Sequence, residues 1–413
     1  MLNQIINVPK LRFGEFEGEW VEKRLDSICK IERGRFSPRP RNNPIYYNGN
    51  IPFVQTSDIV KAKGRILNYS QTLNEKGLKV SKKFNKGTIL ITIAANIGYA
   101  GVLEIDMACP DSLIGLTVKD KNINYFVNYL LEIEQPRMDY LAIDNAQKNI
   151  NIGFLKPYKF VLPQKQEQKK IATFLTSIDK KIEQLNQKRT LLESYKKGVM
   201  QKIFSQEIRF KCDDGGVFED WKKYPIGNFI DLLSGFPFKS ENIVDSKDGI
   251  PLLRGINITE GKIRHSKEID KFYIGNNKKL DKYFLKEGDL VISMDGSKVG
   301  KNSALIKKED EGLLLIQRVA RIRVKENTSL NFIYQHINSV LFHNYVNKVK
   351  TSSGIPHISS KQIKDFKINF PCFTEQQKIS NFLTSIDQKI TQSNQVLEEM
   401  KAFKKGLLQQ MFV

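Results

Sequence analysis

The sequence predicts an α+β chain in which two globular domains of one plan are separated by two long antiparallel coiled-coil helices, an internal pseudo-two-fold repeat. Three observations predict it. The phrase "FLTSIDKKIEQLNQ" (174–187) returns as "FLTSIDQKITQSNQ" (382–395), 208 positions later. With 167–204 set on 375–412 without a gap, 20 of 38 positions are identical, which helical composition alone does not produce. The repeat is also wider than these segments. "EGEW" ending at Trp20 answers "FEDW" ending at Trp221, "IPFVQTSDI" (51–59) answers "IPLLRGINI" (250–258), and "NKGTILITI" (85–93) answers "KEGDLVISM" (286–294). The period is too long for a solenoid.

The first domain is expected over 1–164. "GTILITI" (87–93) reads as a short apolar strand entered from a glycine turn, and "NYFVNYLLEI" (124–133) has helical spacing. The first spacer helix is expected over 165–207, after Pro163, where the chain is still extended. Ile171, Ile178, Leu185, Leu192 and Val199 recur every seven residues, with a second row of Leu175, Ile182, Tyr195 and Ile203 interrupted by Arg189. The second domain, 208–371, repeats the strand in "GDLVISM" (288–294) and the helix in "NFIYQHINSV" (331–340). The second spacer helix, 372–413, follows Pro371. Its rows are Ile379, Ile386, Met400, Leu407 (broken by Ser393) and Phe382, Ile390, Leu397, Phe403, Met411. The alternative is two ordinary amphipathic helices, each packed on its own domain. Two equal seams, each about 60 Å long at 1.5 Å per residue, suit mutual packing better. A duplication that closes on itself with two-fold pseudosymmetry favours antiparallel pairing.

Apolar residues make up 40% of the chain and charged residues 27%, which suits a packed core rather than disorder. No apolar run reaches the roughly 18 residues of a membrane span, and "MLNQIINVPK" lacks the pattern of a signal peptide. Cys29, Cys109, Cys212 and Cys372 lie far apart without metal spacing, so free thiols in a reducing cytoplasm are expected. Lys and Arg number 66 against 45 Asp and Glu, a net charge of +21 that favours a polyanionic partner, nucleic acid before others.

No catalytic constellation is discernible. "NPIY" (43–46) resembles the N-P-P-Y loop of amino-methyltransferases but has Ile45 where the second proline belongs, and reads as a polar turn. "GSKVGKN" (296–302) is one residue short of a phosphate loop and has Asn302 where a magnesium-binding Ser or Thr belongs, so it reads as a glycine hairpin. The four histidines have no metal spacing. Neither a catalytic residue, a metal site nor a bound cofactor is therefore expected in this chain.

Residues suited to DNA are plentiful. "ERGRFSPRPRNNPIYYNGN" (32–50) sets Arg33, Arg35, Arg39 and Arg41 beside tyrosines and amides. Lysine and arginine neutralise phosphates, whereas sequence is read by forks, Arg to guanine and Asn or Gln to adenine. Candidate readers on loops after strands are Gln55 and Asn96 in the first domain and Arg254, Asn257 and Lys298 in the second. Lys148 and Asn149, with His357 and Ser359 as rough counterparts, lie just before the long helices. For each, a plain solvated loop residue is the competing reading.

In the ordered set "GEWVEKRLDSI" (18–28), "QKNINIGFLK" (147–156), "LPQKQEQKKIATFLTSIDKKIEQ" (162–184), "SSGIPHISSKQIKDF" (352–366) and "FPCFTEQQKISNFLTSIDQKITQ" (370–392), the chain resembles the DNA specificity (S) subunits of type I restriction–modification systems over essentially its whole length. The resemblance implies two target-recognition domains, each reading one half of a split DNA site. It implies two spacer helices that dock two methyltransferase (modification) subunits, joined by restriction/translocase subunits, with S-adenosylmethionine, ATP and Mg on those partners. It names no DNA sequence. Polar positions identical in both helices, Thr176, Asp179 and Gln184 with Thr384, Asp387 and Gln392, are candidate docking contacts or interhelical links. A non-catalytic coiled-coil adaptor without specific DNA readout is the competing reading; a self-sufficient DNA methyltransferase lacks its cofactor motifs here.

Overall fold

The structure is a computed structural model, and it describes residues 7–142, 149–351 and 354–413. It divides into two compact units, Met1–Asn186 with Gln395–Val413, and Gln187–Asn394. Each unit therefore combines one domain, the adjoining half of the long helix that follows or precedes it, and a piece of the other long helix.

The first unit is built on a five-stranded sheet in the order Cys29–Arg33, Leu113–Val118, Ile89–Thr92, Ala100–Leu103, Gly64–Ile66. Its pairs are antiparallel except the last, which is parallel. A four-stranded sheet, Gln71–Leu73, Tyr47–Phe53, Met107–Cys109, Lys82–Phe84, lies in the same unit. The helix Asn124–Leu141 buries Phe126, Val127 and Leu131 against Ile89, Ile91 and Leu116 of the five-stranded sheet. All four residues of Ile89–Thr92 are buried, as an apolar run between two strands requires.

The second unit repeats this plan. Ile230–Ser234, Val319–Val324, Leu290–Ser293 and Ser303–Leu305 form an antiparallel sheet, and four shorter strands form a second one. Its helical layer differs from the expected single helix over 331–340. Leu330–Ile337 stops, and Val340–Val349 starts afresh because the Ser339 side chain accepts a hydrogen bond from the Phe342 N–H, an N-cap that begins a new helix inside the periodic segment. "GSKVGKN" is a hairpin connection, since Ile292 pairs with Ser303 across it, and "NPIY" is a short turn closed by the Asn43 side chain on the Ile45 N–H.

Both long segments are helical, Lys165–Phe204 and Phe373–Met411. In the first unit Ile171, Leu175 and Ile178, from the start of the first helix, share a core with Leu407, Leu408, Met411 and Phe412, from the end of the second. In the second unit Met200, Ile203 and Phe204 share a core with Ile379, Leu383 and Ile386. Start meets end in both units, so the helices run antiparallel. Polar links repeat the arrangement: Lys404 Nζ lies 2.9 Å from Asp179 in one unit, and Lys196 Nζ lies 2.6 Å from Asp387 in the other.

The heptad reading fails near the helix ends. Tyr195 and Phe403, placed on the seam although each falls one residue short of the seven-residue step, are 55% and 53% exposed, and Lys196 and Lys404 hold the in-register, largely buried places. The last turns instead turn Met200, Ile203 and Phe204, or Leu408 and Phe412, toward a domain core, so the buried stripe there is set by the domain rather than by the opposite helix. Ser393, where the first row breaks, is nevertheless buried.

Each helix start is held by a matching lock. Glu167, fully buried, receives the Nε and Nη2 of Arg12 at 2.8 Å each. Glu375, also fully buried, receives Arg209 at 3.2 and 2.9 Å and the Trp221 indole N–H at 2.8 Å. Both arginines also donate to backbone carbonyls of the loop before the domain's tryptophan, Gly18 and Glu17 or Phe218 and Glu219. A carboxylate in the first helical turn also complements the positive end of the helix dipole. The repeat holds this pair too, as "LRF" (11–13) and "IRF" (208–210), a signal the sequence reading passed over.

Candidate nucleic-acid interface

Among the described residues each unit carries an open cleft of more than 600 Å³, and the two occupy matching places. In the first unit the cleft, about 610 Å³, lies at the end of the strand Ile89–Thr92, and Arg33, Arg41, Ala94, Asp111, Ser112 and Asn149 line it. In the second the cleft, about 690 Å³, lies at the end of Leu290–Ser293, lined by Arg254, Arg264, Asp295, Lys298, Gln317 and Arg318 among others. The backbone equivalence is close. Ala94 bridges to Asn149, and Asp295 bridges to His357. The next residue is left-handed in both, Ala95 at φ 64° and Gly296 at φ 94°.

The polar linings differ. In the first cleft Asp111 gathers arginines. Arg41 Nη2 lies 2.8 and 2.9 Å from its two carboxylate oxygens, Arg39 approaches at 3.8 Å, and Arg33 Nε donates to its backbone carbonyl at 2.7 Å. In the second cleft the carboxylate sits on the strand end instead. Asp295 accepts from Arg318 Nη1 at 3.0 Å and lies 3.3 Å from His357 Nδ1. At the rim Lys298 pairs with Glu260 at 3.0 Å, and Arg264 Nε donates to the Ile256 carbonyl at 2.9 Å. Exposed pairs of the Lys298 kind are weak and exchange readily for a phosphate.

The expected DNA-facing residues fall into three groups. Arg33, Arg41, Asn149, Arg254 and Lys298 line the clefts, and His357 adjoins the second through Asp295. Arg39 and Asn96 are exposed on loops of the first unit. Others serve the fold. Asn257 is fully buried, its amide donating to the Arg264 carbonyl at 3.2 Å and to Asp270 at 2.9 Å while its oxygen accepts from the Arg254 N–H, so it shapes a turn and reads no base. Ser359 caps the helix Ser360–Asp365, accepting from the Gln362 N–H. Gln55 closes the start of Thr56–Ala62 and donates to Gln71 at 3.1 Å. Arg35, although exposed, donates to the Ser81 carbonyl at 3.0 Å. Lys148 lies outside the described residues.

Of the candidate docking residues, Asp179 and Asp387 face inward. Asp179 takes Tyr129 Oη at 2.6 Å as well as Lys404, and Asp387 takes Gln335 Nε2 at 2.8 Å as well as Lys196. Burial, with the Asp179 charge added, pushes the Tyr129 phenol well above its ordinary value, so it stays a donor. These aspartates tie helix to helix and helix to domain. Thr176 is half-buried 3.5 Å from Tyr129 Oη, Thr384 is half-buried, and Gln184 and Gln392 are exposed.

The residues that distinguish the clefts, Asp111, Asp295, Gln317 and Arg318, carry no pattern in the sequence. They come together through sheet topology alone. Among the described residues no group of three or more His, Cys, Asp or Glu is suited to a metal ion, and no helix is long and apolar enough to cross a membrane.

Comparison with known proteins gives a consistent result. The family model described as "Type I restriction modification DNA specificity domain" matches twice, at residues 17–194 and 218–402. The type I restriction enzyme MjaVIII specificity subunit of Methanocaldococcus jannaschii is 25% identical over 323 residues, 76% of this chain and 73% of that protein. The putative MjaX specificity subunit of the same organism is 24% identical over 426 aligned positions, covering 97% and 95%. Among solved structures, the type I restriction–modification S subunit from M. genitalium aligns with a TM-score of 0.65 at 18% identity, covering 98% of this chain and 99% of that one, which shows a shared fold. With the specificity domain present in both halves of a duplicated fold, the chain belongs to the family of DNA specificity subunits of type I restriction–modification systems.

Proposed function

We propose that this chain gives a type I restriction–modification complex its DNA sequence, with each domain reading one half of a bipartite site. One observation carries the reading: two clefts on equivalent backbones have different polar linings, Asp111 with arginines in one and Asp295 with Arg318 and His357 in the other. Equivalent frames suit equivalent engagement of a duplex, and different side chains suit different bases. The net charge of +21 supports the phosphate contacts on which affinity rests.

In this reading the chain performs no catalysis, and the long helices set the spacing of the half-sites and dock two methyltransferase subunits. Restriction/translocase subunits join that core in the cytoplasm. S-adenosylmethionine, ATP and Mg belong to the partners. Docking has support in the repeat. Tyr195 and Phe403 occupy equivalent positions, both are exposed aromatics, and each precedes by one turn a helical glycine, Gly198 or Gly406. Two like patches suit two copies of one partner.

The test is binding of duplex DNA across a salt series, followed by maps of methylated adenine in cells with and without the gene. Binding that weakens steeply with salt, and a bipartite methylated motif that disappears with the gene, are the expected results. Salt-independent behaviour with an unchanged methylation map would leave a protein adaptor as the better reading.

A further inference from the structure

Within the proposed DNA-reading role, we infer that Arg318 reads a guanine in the half-site of the second domain and that Asp295 is the residue that positions it. Arg318 stands at the mouth of the second cleft on left-handed backbone, φ 68°, with its side chain 59% exposed. Among the described residues its side chain has one hydrogen-bond partner, Asp295 Oδ2 at 3.0 Å, engaged through Nη1. Asp295 is itself held. Its side chain is only 19% exposed, His357 Nδ1 lies 3.3 Å from the other carboxylate oxygen, and its backbone bridges to His357. The guanidinium is thus fixed at one nitrogen by an anchored carboxylate, and its other donors remain for a ligand.

Charge decides which ligand. Of the other basic groups at this cleft, Arg254 spends its Nη1 on the Ile269 carbonyl at 3.2 Å, while Lys298 and Arg264 sit at the rim with at most an exposed acidic partner and suit phosphate oxygens. Arg318 carries its counter-charge with it. A phosphate brought to it would also approach the Asp295 carboxylate, and that repulsion cancels much of the attraction. A neutral base edge meets no such penalty. Two parallel donors on a planar fork match the O6 and N7 acceptors of guanine, and a fork already oriented gives up less rotamer freedom on binding. Adenine offers a donor in place of O6, which an arginine cannot satisfy. The first cleft has no such pair at the equivalent strand end, where Ala94 stands, so the inference concerns one half-site only.

The experiment uses the full chain, alone and assembled with its methyltransferase subunits, selected against a duplex library with randomised bases and measured across a salt series. For Arg318→Ala we expect preference to relax at one position, a guanine in one half-site, by roughly 10- to 100-fold, with the other half-site and the salt slope kept. For Asp295→Asn the same position should relax by a smaller factor while binding to unrelated duplex strengthens, because an uncompensated arginine has become available to phosphates. A purely structural role for Asp295 would lower the melting temperature without relaxing preference at that one position. Lys298→Ala should do the reverse of Arg318→Ala, lowering the salt slope by about one with the base preference intact. Circular dichroism melting of each variant identifies a fold defect. An Arg318→Ala protein that melts normally and still selects the wild-type motif would overturn the inference alone. So would relaxation at a base other than guanine. Absence of any sequence preference in the wild-type chain would instead remove the DNA-reading role, and this inference with it.

Discussion

At the scale of single residues, the chain invests in a few buried polar contacts, and each has a measurable consequence. Glu375 is sealed from solvent and neutralised by Arg209. Arg209→Ala leaves a buried carboxylate with only the Trp221 N–H, and such half-broken pairs cost about 3 kcal/mol. Denaturant unfolding should show that loss, and the matching Arg12→Ala should show it in the other unit; a loss under about 0.5 kcal/mol would place these pairs among dispensable surface bridges. His336 is the second case. It is fully enclosed, stacked on Phe204 with ring centroids 3.8 Å apart, and burial holds its pKa down to about 3, against an ordinary value of 6.5. Above about pH 6.5 both folded and unfolded chains hold it neutral and it adds no pH dependence. As pH falls below that, the unfolded chain takes up the proton and the folded chain does not, so stability drops by up to about 1.4 kcal/mol per pH unit from this group. His336→Phe should flatten that portion of the stability–pH curve between about pH 4 and 6.5. Superimposable slopes for variant and wild type would show that the imidazole titrates freely in the folded state.

At the scale of elements, the two long helices were the most legible part of the sequence. Their length, their starts after Pro163 and Pro371 and their antiparallel sense all followed from duplication and seven-residue spacing. The spacing misled where it was stretched: Tyr195 and Phe403 stand one residue short of the period and face solvent, while the in-register Lys196 and Lys404 turn inward to Asp387 and Asp179. The clefts were legible only in part. Arg41, Arg254 and Lys298 stand out as basic loop residues, and Arg33 as a basic strand end, in any reading. Asn257 and Ser359 have the same polar character yet spend it on a turn and a helix cap, which sequence cannot separate from base reading. Asp295 and Arg318 are 23 positions apart and meet only because their strands are neighbours in the sheet. The glycines offer a test at this scale. A methyl added at Gly198 or Gly406 would meet no heavy atom within 4 Å. Each sits inside a helix, so Gly→Ala should stabilise the isolated chain by roughly 0.5–1 kcal/mol at each site. The same substitutions should weaken capture of methyltransferase subunits if the Tyr195 and Phe403 patches are where those subunits dock. A destabilised isolated chain would mean that the backbone there is not plain helix.

At the scale of the whole molecule, the duplication is proposed to act as a ruler. Four residues inserted after Asn186 and four after Asn394 lengthen both helices by roughly 6 Å. Base pairs are spaced about 3.4 Å apart, so the non-specific gap of the recognised site should grow by about one to two base pairs with both halves unchanged. An active insertion variant with an unaltered gap would restrict the helices to partner docking. The central claim is that two domains read DNA independently through clefts of one frame and different chemistry. Its most direct measurement is a methylation map made with residues 208–371 replaced by the corresponding segment of a relative of different specificity. The expected motif has a new second half-site, the original first half-site and the original gap. A motif altered in both halves, or one left unchanged throughout, would contradict it.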